Sequence, residues 1–348
     1  MKPERTDIHP VRLHLLSPVH IGTGEELDPF SYVIRDNFLH FVDTGRWAAE
    51  TPEATLLEKT VSAAGFAAVR SLIARNIDVA RYSIGRIEVR SKNLLDTYRY
   101  SIERQDARNQ VLVSPLPRGA ADRRAYIPGS SLKGAVRTAL ANAFVQAAGV
   151  KSEDARGRPD YNQKIFGTIR QDPLRHLKFR DIPLPQDATV IFEAREFSMK
   201  PDKRSTPKGY FEAAAGGIDT GKSIIYETTI SLSPFALHGK MVDRAFLIES
   251  LNAFYKPKFF EEREKFYARQ HGQAVYKATA PLAKSLETMK PHEALVRLGH
   301  FSHVECVTLD GVRRPVTRYV KSRQLPWGTT RTLAEGLYPF GWVILDFD

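Results

Sequence analysis

Apolar and polar residues alternate from Val11 to Leu15, with Val11, Leu13 and Leu15 on one side of the chain and Arg12 and His14 on the other. That two-residue period predicts a half-buried strand. Leu16 breaks the alternation, Ser17-Pro18 interrupt it, and Val19 and Ile21 resume it before Gly22-Thr23-Gly24 turns the chain. A second strand is expected at 38–42. The period then becomes helical: Thr51-Pro52 read as N-cap and first helical residue, Leu57, Val61, Ala64, Ala68 and Leu72 recur on one face, and Asn76 closes the helix. A short strand is expected at 111–113. Beyond it, Leu132, Val136, Leu140 and Phe144 stripe an amphipathic helix that follows Ile127-Pro128-Gly129 and takes Gly149 as its C-terminal cap.

Pro183-Leu184-Pro185 marks a candidate boundary, and a strand at 189–192 opens a second half. There Ile224, Tyr226, Thr228, Ile230 and Leu232 share one face of a long strand. Helices are expected at 246–254 and 259–267, and strands at 301–309 and 342–345. Strands near the ends of each half with helices between them predict an α+β class, to which a ferredoxin-type split βαβ core is suited. The domains would be 1–185 and 186–348. No fixed-period repeat points to a solenoid or propeller.

The 348 residues are 42% hydrophobic and 26% charged, enough apolar surface for a buried core, which excludes global disorder. Lys and Arg number 51 against 40 Asp and Glu, and the resulting charge of +11 favours an anionic partner such as nucleic acid. Cys306 is the only cysteine, so an internal disulfide and a zinc site of several thiolates are both excluded. The first ten residues lack the apolar core of a signal peptide and no later stretch has the length of a membrane span, so a cytoplasmic protein with no membrane partner is expected.

Two motifs could hold phosphate. Gly216-Gly217-Ile218-Asp219-Thr220-Gly221-Lys222-Ser223 matches the P-loop pattern literally, and Val343-Ile344-Leu345-Asp346 is like a Walker-B strand. Yet a β-alternating run follows Ser223 where a P-loop needs a helix, which leaves an NTPase using Lys222 as a remote reading. In Ile127-Pro128-Gly129-Ser130-Ser131-Leu132-Lys133-Gly134 motif and context agree: Ser130 or Ser131 caps a helix whose first amides, with the two hydroxyls, Lys133 and Arg137, could engage a phosphodiester backbone. A basic and aromatic run, Arg313, Arg314, Arg318, Tyr319, Lys321, Arg323 and Trp327, suits phosphates with stacked bases. His20, beside the glycine turn, is an RNA contact or a packed core histidine. Of His300, His303 and Glu305, strand alternation puts only the last two on one face, too few ligands for a metal. Glu25, Glu26 and Asp28 read as solvated acids.

Pro18-Val19-His20-Ile21-Gly22-Thr23-Gly24, the Ile127 to Gly134 block, Ile165-Phe166-Gly167 and the glycine-bearing segment 336–341 resemble the RAMP superfamily of CRISPR proteins. Extended through Glu25-Glu26-Leu27-Asp28, the first block is most similar to the Csm subunit that caps the three-prime end of the guide RNA in type III-A complexes. The resemblance implies a ferredoxin-like (RRM-like) core with helical insertions and a second α+β half. It implies a non-catalytic subunit that binds guide crRNA, packs against RAMP backbone subunits, serves crRNA maturation and antiviral defence, and uses no cofactor or metal. A host nuclease is a further candidate partner. On this reading RNA meets His20, Gly22, Thr23, Gly24, Ser130, Ser131, Lys133, Gly134, Arg137, Arg318, Lys321 and Arg323. The family's glycine-rich loop falls at 336–341, where only Gly336 and Gly341 are glycine. The rival reading is a metal-independent RAMP endoribonuclease using His20 as general acid or base.

Overall fold

A computed structural model describes residues 7–348 except 53, 54, 107, 121, 152–160, 201, 202, 204, 313–315, 321, 322 and 327; for 7, 55–64, 316–320 and 323–326 it describes the backbone alone. The core is built from β1 (Asp7–Leu15), α1 (Gly129–Phe144), β2 (Leu177–Phe179), β3 (Ile225–Leu232), α2 (Arg244–Glu262) and β4 (Trp342–Asp346). β1 pairs antiparallel with β3 on one side and with β4 on the other, and β2 extends the sheet beyond β3. The order β4-β1-β3-β2, with α1 joining β1 to β2 and α2 lying between β3 and β4, is the ferredoxin-like arrangement the sequence predicts. Strand Glu293–Arg297 adds to the outside of β4. Its outward backbone groups are met by Asn252 of α2, which donates to the Glu293 carbonyl at 2.8 Å and accepts from the Leu295 amide at 3.0 Å, so this edge is not left open for another strand.

The alternation along β1 does what its period requires: Val11, Leu13 and Leu15 are buried with Leu132, Val136, Leu140 and Phe144 of α1 and Leu247, Leu251 and Phe254 of α2. The Tyr255 hydroxyl of α2 donates to the Ala135 carbonyl at 3.1 Å and ties the two helices together.

A second sheet is centred on Thr189–Ser198. Thr206–Ala214 pairs along one side of it; on the other side Ser83–Val89 runs parallel to its start and Thr330–Ala334 antiparallel to its end. Phe38–Val42 and Tyr32–Arg35 continue outward from Ser83–Val89. Helix Lys92–Arg104 lays Leu94, Tyr98 and Ile102 against Tyr32, Leu39, Ile87 and Ile191. Both sheets therefore draw strands from either side of residue 185, and the expected boundary there does not divide the fold.

Several local expectations are corrected. Thr51 closes the preceding helix Thr44–Glu50, donating from its hydroxyl to the Trp47 carbonyl at 2.7 Å, and helix Thr55–Asn76 is kinked at Gly65. α1 ends at Phe144, five residues before Gly149. The two helices expected at 246–254 and 259–267 are one helix, α2, running on into a wide turn at Arg263–Tyr267. No strand forms at 301–309; Val304–Cys306 is a short 3-10 turn.

The two sheets are joined where the chain leaves β1. Val19 exchanges backbone hydrogen bonds with Ala214 at 3.0 and 2.9 Å, so the residue four beyond β1 already belongs to the edge of the second sheet. The Gly341 amide donates to the Pro18 carbonyl, the Leu298 amide to the Gly341 carbonyl, and the His300 amide to the His20 carbonyl, at 2.8, 2.8 and 2.9 Å. A Cβ on Gly299 would lie 2.1 Å from the His20 oxygen and one on Gly341 2.2 Å from the Leu298 oxygen, so no side chain fits at either position.

A buried ion network makes a second junction. Glu262, at the end of α2, accepts from Arg297 at 2.5 Å, Arg331 at 2.9 Å and the Tyr267 hydroxyl at 2.8 Å; Arg331 also donates to Glu305 at 2.8 Å. Arg297 belongs to the first sheet's edge strand and Arg331 to the second sheet. Burial alone would push the Glu262 carboxyl up, but the two guanidinium groups outweigh it and hold the pKa down at about 2. Because this lies below the unfolded value, the stabilisation is complete above the normal carboxylate range and is lost as pH falls towards about 2. Glu262→Gln is expected to cost about 3–5 kcal/mol in urea unfolding, since it leaves two buried guanidinium groups short of a counter-charge. Glu261→Gln, on the exposed pair with Lys265, should stay within about 0.5 kcal/mol of wild type; equal losses in the two variants would refute the network's role.

Candidate nucleic-acid interface

The start of α1 is set by a contact that spacing along the chain does not reveal. The Gly129 amide donates to Asp181 Oδ1 at 2.7 Å, and a Cβ on Gly129 would lie 2.2 Å from the Phe179 carbonyl oxygen. The helix thus abuts the end of β2 and takes its cap from there. Pro128, not Ser130 or Ser131, holds the N-cap position, without a side-chain bond; both serines lie in the first turn, Ser130 exposed and Ser131 half-buried. The Ser131 amide bonds back to the Pro128 carbonyl at 3.0 Å. With the first and third amides so engaged, this helix start does not offer the full cradle of free amides expected there.

Lys133 sits one turn into α1, half-buried. Burial lowers its pKa, Asp172 opposes that shift, and Arg137 and Lys178 add to it. Lys178, on β2, is exposed. Arg137 is otherwise occupied: it donates to Asp172 at 2.5 Å and to Asn162 at 3.3 Å, and its guanidinium lies 4.1 Å from the Phe166 ring centre. It latches helix Tyr161–Phe166 to α1, so its charge is already matched, contrary to the expected phosphate contact. Gly134 is exposed with open space around it. The surface donors the structure gathers here are Ser130, Lys133 and Lys178; Asp181 and Lys178 carried no signal in the sequence, since their roles depend on β2 reaching the helix start.

The first motif divides in two. His20 is 2% exposed, and its Nδ1 lies 2.6 Å from the Glu212 carbonyl, which can only accept, so Nδ1 carries the proton. Phe211 and Phe301 pack around the ring. Burial lowers its pKa to about 4, the Glu212 carbonyl opposing and His300 adding to the shift. His20 is a core histidine, which corrects its assignment to the RNA surface and removes the exposed general base that cleavage would need. Gly22, Thr23 and Gly24 are exposed, with Thr23 Oγ1 accepting from the Glu25 amide at 3.1 Å. Asp28 caps its own turn, accepting from the Phe30 amide at 3.0 Å.

Lys321 lies outside the described residues, with Arg313, Arg314 and Trp327; Arg318 and Arg323 stand on the hairpin Val316–Val320 and Arg323–Pro326, where only the backbone is described. The P-loop match forms a single turn, Gly217–Thr220, followed by β3. Asp219 accepts from the Gly216 amide at 2.8 Å and from Arg90 at 2.7 Å, and the Ile218 amide donates to the Leu16 carbonyl at 3.0 Å, so amides a phosphate would need are engaged within the fold. Glu305 is bound by Arg331, and His303 is half-buried, its pKa held well below normal by desolvation and then by Arg297. The segment 336–341 forms a turn against the second sheet, Tyr338–Pro339 pairing with Leu333 and Ala334.

Residues 12–299 match the family model of the RAMP superfamily. The chain belongs to the RAMP superfamily. Over 133 residues this RAMP protein is 30% identical to the CRISPR system protein Csm5 of Methanocaldococcus jannaschii, a match covering 37% of this chain and 29% of that protein's length. The RAMP fold is shared with a chain in the cryo-EM structure of a Csm-crRNA-target RNA ternary complex of a type III-A CRISPR-Cas system, at a TM-score of 0.68 and 22% identity over 98% of this chain and 100% of that one. It is shared also with the crystal structure of T. onnurineus Csm5, at 0.60 and 20% identity over 96% and 99%. Among the described residues of the RAMP protein, no helix is long and apolar enough to cross a membrane.

Two outcomes follow from the geometry of the two motifs. The His20 ring should titrate in NMR with a midpoint near 4, and since the unfolded ring protonates nearer pH 6.5, its contribution to stability should be complete above that value and decline as pH falls to about 4; a midpoint near 6.5 would show an exposed ring. Asp181→Ala should cost about 1 kcal/mol of stability by loss of the helix cap, and Ser130→Ala less than about 0.5 kcal/mol. Thermal unfolding of both variants decides, and the reverse order would restore the serine cap.

Proposed function

We propose that this RAMP protein is a non-catalytic crRNA-binding subunit of a type III-A Csm complex that caps the three-prime end of the guide RNA and ends the row of RAMP backbone subunits. The observation that carries this reading is the fold shared, end to end, with a chain of a Csm-crRNA-target RNA complex. The partial identity to Csm5 supports it. So does the chemistry: the exposed loop Gly22 to Gly24 and the donors Ser130, Lys133 and Lys178 suit a phosphodiester backbone, while His20 is sealed in the core. In this role the subunit serves crRNA maturation and antiviral defence, with guide crRNA and neighbouring RAMP subunits as partners and a trimming nuclease of the host as a further one. Gly134 lies on the same exposed first turns of α1, where the lack of a side chain lets a backbone approach.

The test is RNA affinity across a range of salt. Single-stranded RNA should bind with an affinity that falls steeply as salt rises, and duplex DNA should compete poorly. Lys133→Ala should weaken binding and lower the slope of log affinity against log salt by roughly one, with thermal stability unchanged. An unaltered affinity would remove Lys133 from the interface. Salt-independent binding or a preference for duplex DNA would defeat the reading as a whole.

A further inference from the structure

Beside the start of α1 the second sheet forms one wall of a cleft of about 980 Å³. Strands Phe38–Val42 and Ser83–Val89 make that wall, and Arg118 and residues 122–125 with the segment at 185–189 make the other. The cleft and the helix start are two ends of one short ladder: Tyr126–Ile127 pairs with Ile182–Pro183, and the Leu184 amide donates to the Ala125 carbonyl at 2.8 Å. Three extended residues span about 10 Å, a length that about three stacked nucleotides cover at 3.4 Å each.

The wall carries laminated planes. The Arg86 guanidinium lies 4.5 Å from the Phe38 ring centre and that of Arg118 lies 4.9 Å from the Phe41 ring centre. In the strand register Phe41 stands opposite Gly85 on one side, which sets no side chain against the ring there, and opposite Tyr32 on the other. Arg118 is anchored from behind by the wholly buried Glu212, and its Nε has no hydrogen-bond partner among the described residues. The rim is mixed in sign. Arg86, Arg123 and Arg124 face Glu88, Asp122 and Asp187, so the cleft is no simple phosphate trap. Flat aromatic and guanidinium surfaces, carboxylates able to accept from base amino groups, and arginines at the edge together fit an unpaired nucleobase.

We propose that this cleft holds one or two unpaired nucleotides of an RNA strand that continues from the α1 start, a base stacking on Phe41 while Arg123 and Arg124 meet the phosphates. The inference rests on the RNA-binding reading above and adds a base-stacking site to it. It separates two contributions by salt. Stacking is insensitive to counterions, whereas each phosphate contact adds to the salt slope.

The experiment measures binding of a fluorescein-labelled dodecauridylate to the full chain at several salt concentrations, and photocrosslinking of the same RNA carrying 4-thiouridine. Phe41→Leu keeps apolar bulk against the sheet and should weaken binding roughly five- to a hundredfold, with the slope unchanged. The double variant Arg123→Glu and Arg124→Glu, on an exposed loop, should weaken binding and lower the slope. Crosslinks should fall within the peptide 38–42. Should Phe41→Leu melt at a lower temperature, the loop variant and the crosslinks decide on their own. If the loop variant binds like wild type and no crosslink reaches 38–42 while Lys133→Ala still weakens binding, the cleft is not an RNA site although the subunit binds RNA. If wild type binds no RNA, both readings fall. If, in the assembled complex, the cleft crosslinks to another protein subunit and not to RNA, the proposal is overturned in favour of a protein contact.

Discussion

Backbone crowding at Pro18 to His20 is the constraint on which the fold turns. Three to five residues beyond the end of β1 the chain receives hydrogen bonds from Gly341, Ala214 and His300, which lie on three distant segments. Such convergence is possible only where side chains are missing, and Gly299 and Gly341 supply the two gaps, each with backbone oxygen about where a Cβ would stand. One consequence is that β1, the central strand of the ferredoxin-like sheet, is continuous with the edge of the second sheet, so the two cannot shift independently. Another is that the loop Gly22 to Gly24 emerges from a rigid anchor two residues after a core histidine. An exposed glycine turn would be too mobile to fix a ligand; the anchored one is held at its root.

The Glu262 network holds the other side of the same junction by a different force. A buried ion cluster is weak evidence for stability, because removing charges from water costs about as much as their attraction returns. Its geometry is informative all the same. Arg297 and Arg331 arrive from different sheets and share one carboxylate, and Arg331 lies over the Phe266 ring with its centre 3.6 Å away. An apolar cluster at this position would tolerate several packings, whereas two guanidinium groups on one carboxylate fix a single register between the sheets, consistent with a specifying role for buried charge.

Periodicity read the core well. β1, α1 and β3 lie where alternation and helical spacing put them, because each buries one face and its pattern carries that fact, while β4 is buried along its whole length. It failed where neighbours decide. Thr51-Pro52 has the residues of a helix start but ends the previous helix, and 301–309 alternates like a strand but has no partner strand to pair with. The boundary at Pro185 failed for topological reasons: the insertions between β1 and α1 and between β2 and β3 pair with each other, which no local composition reveals. The candidate site showed as a motif at Ile127 to Gly134, yet the cap of its helix, Asp181, lies fifty-two residues from Gly129 and becomes visible only once β2 is docked.

The same distinction governs the net charge. An excess of +11 fits a polyanion partner, but the sequence does not say which cations are available to it. The fold consumes many arginines internally: Arg137 on Asp172, Arg90 on Asp219, Arg118 on Glu212, Arg195 on Glu193, and Arg297 with Arg331 on Glu262. Planar, bidentate groups are well suited to such internal ties, and lysine, a hydrated point charge, is not. Hence the conspicuous arginine of the helix motif, Arg137, is structural, while Lys133, Lys178 and the loop arginines Arg123 and Arg124 carry charge towards solvent. These lie at the two ends of the ladder of Tyr126–Ile127 and Ile182–Pro183, so cations not spent on buried ties, Arg124 making only an exposed pair with Asp122, are placed along one path beside the start of α1.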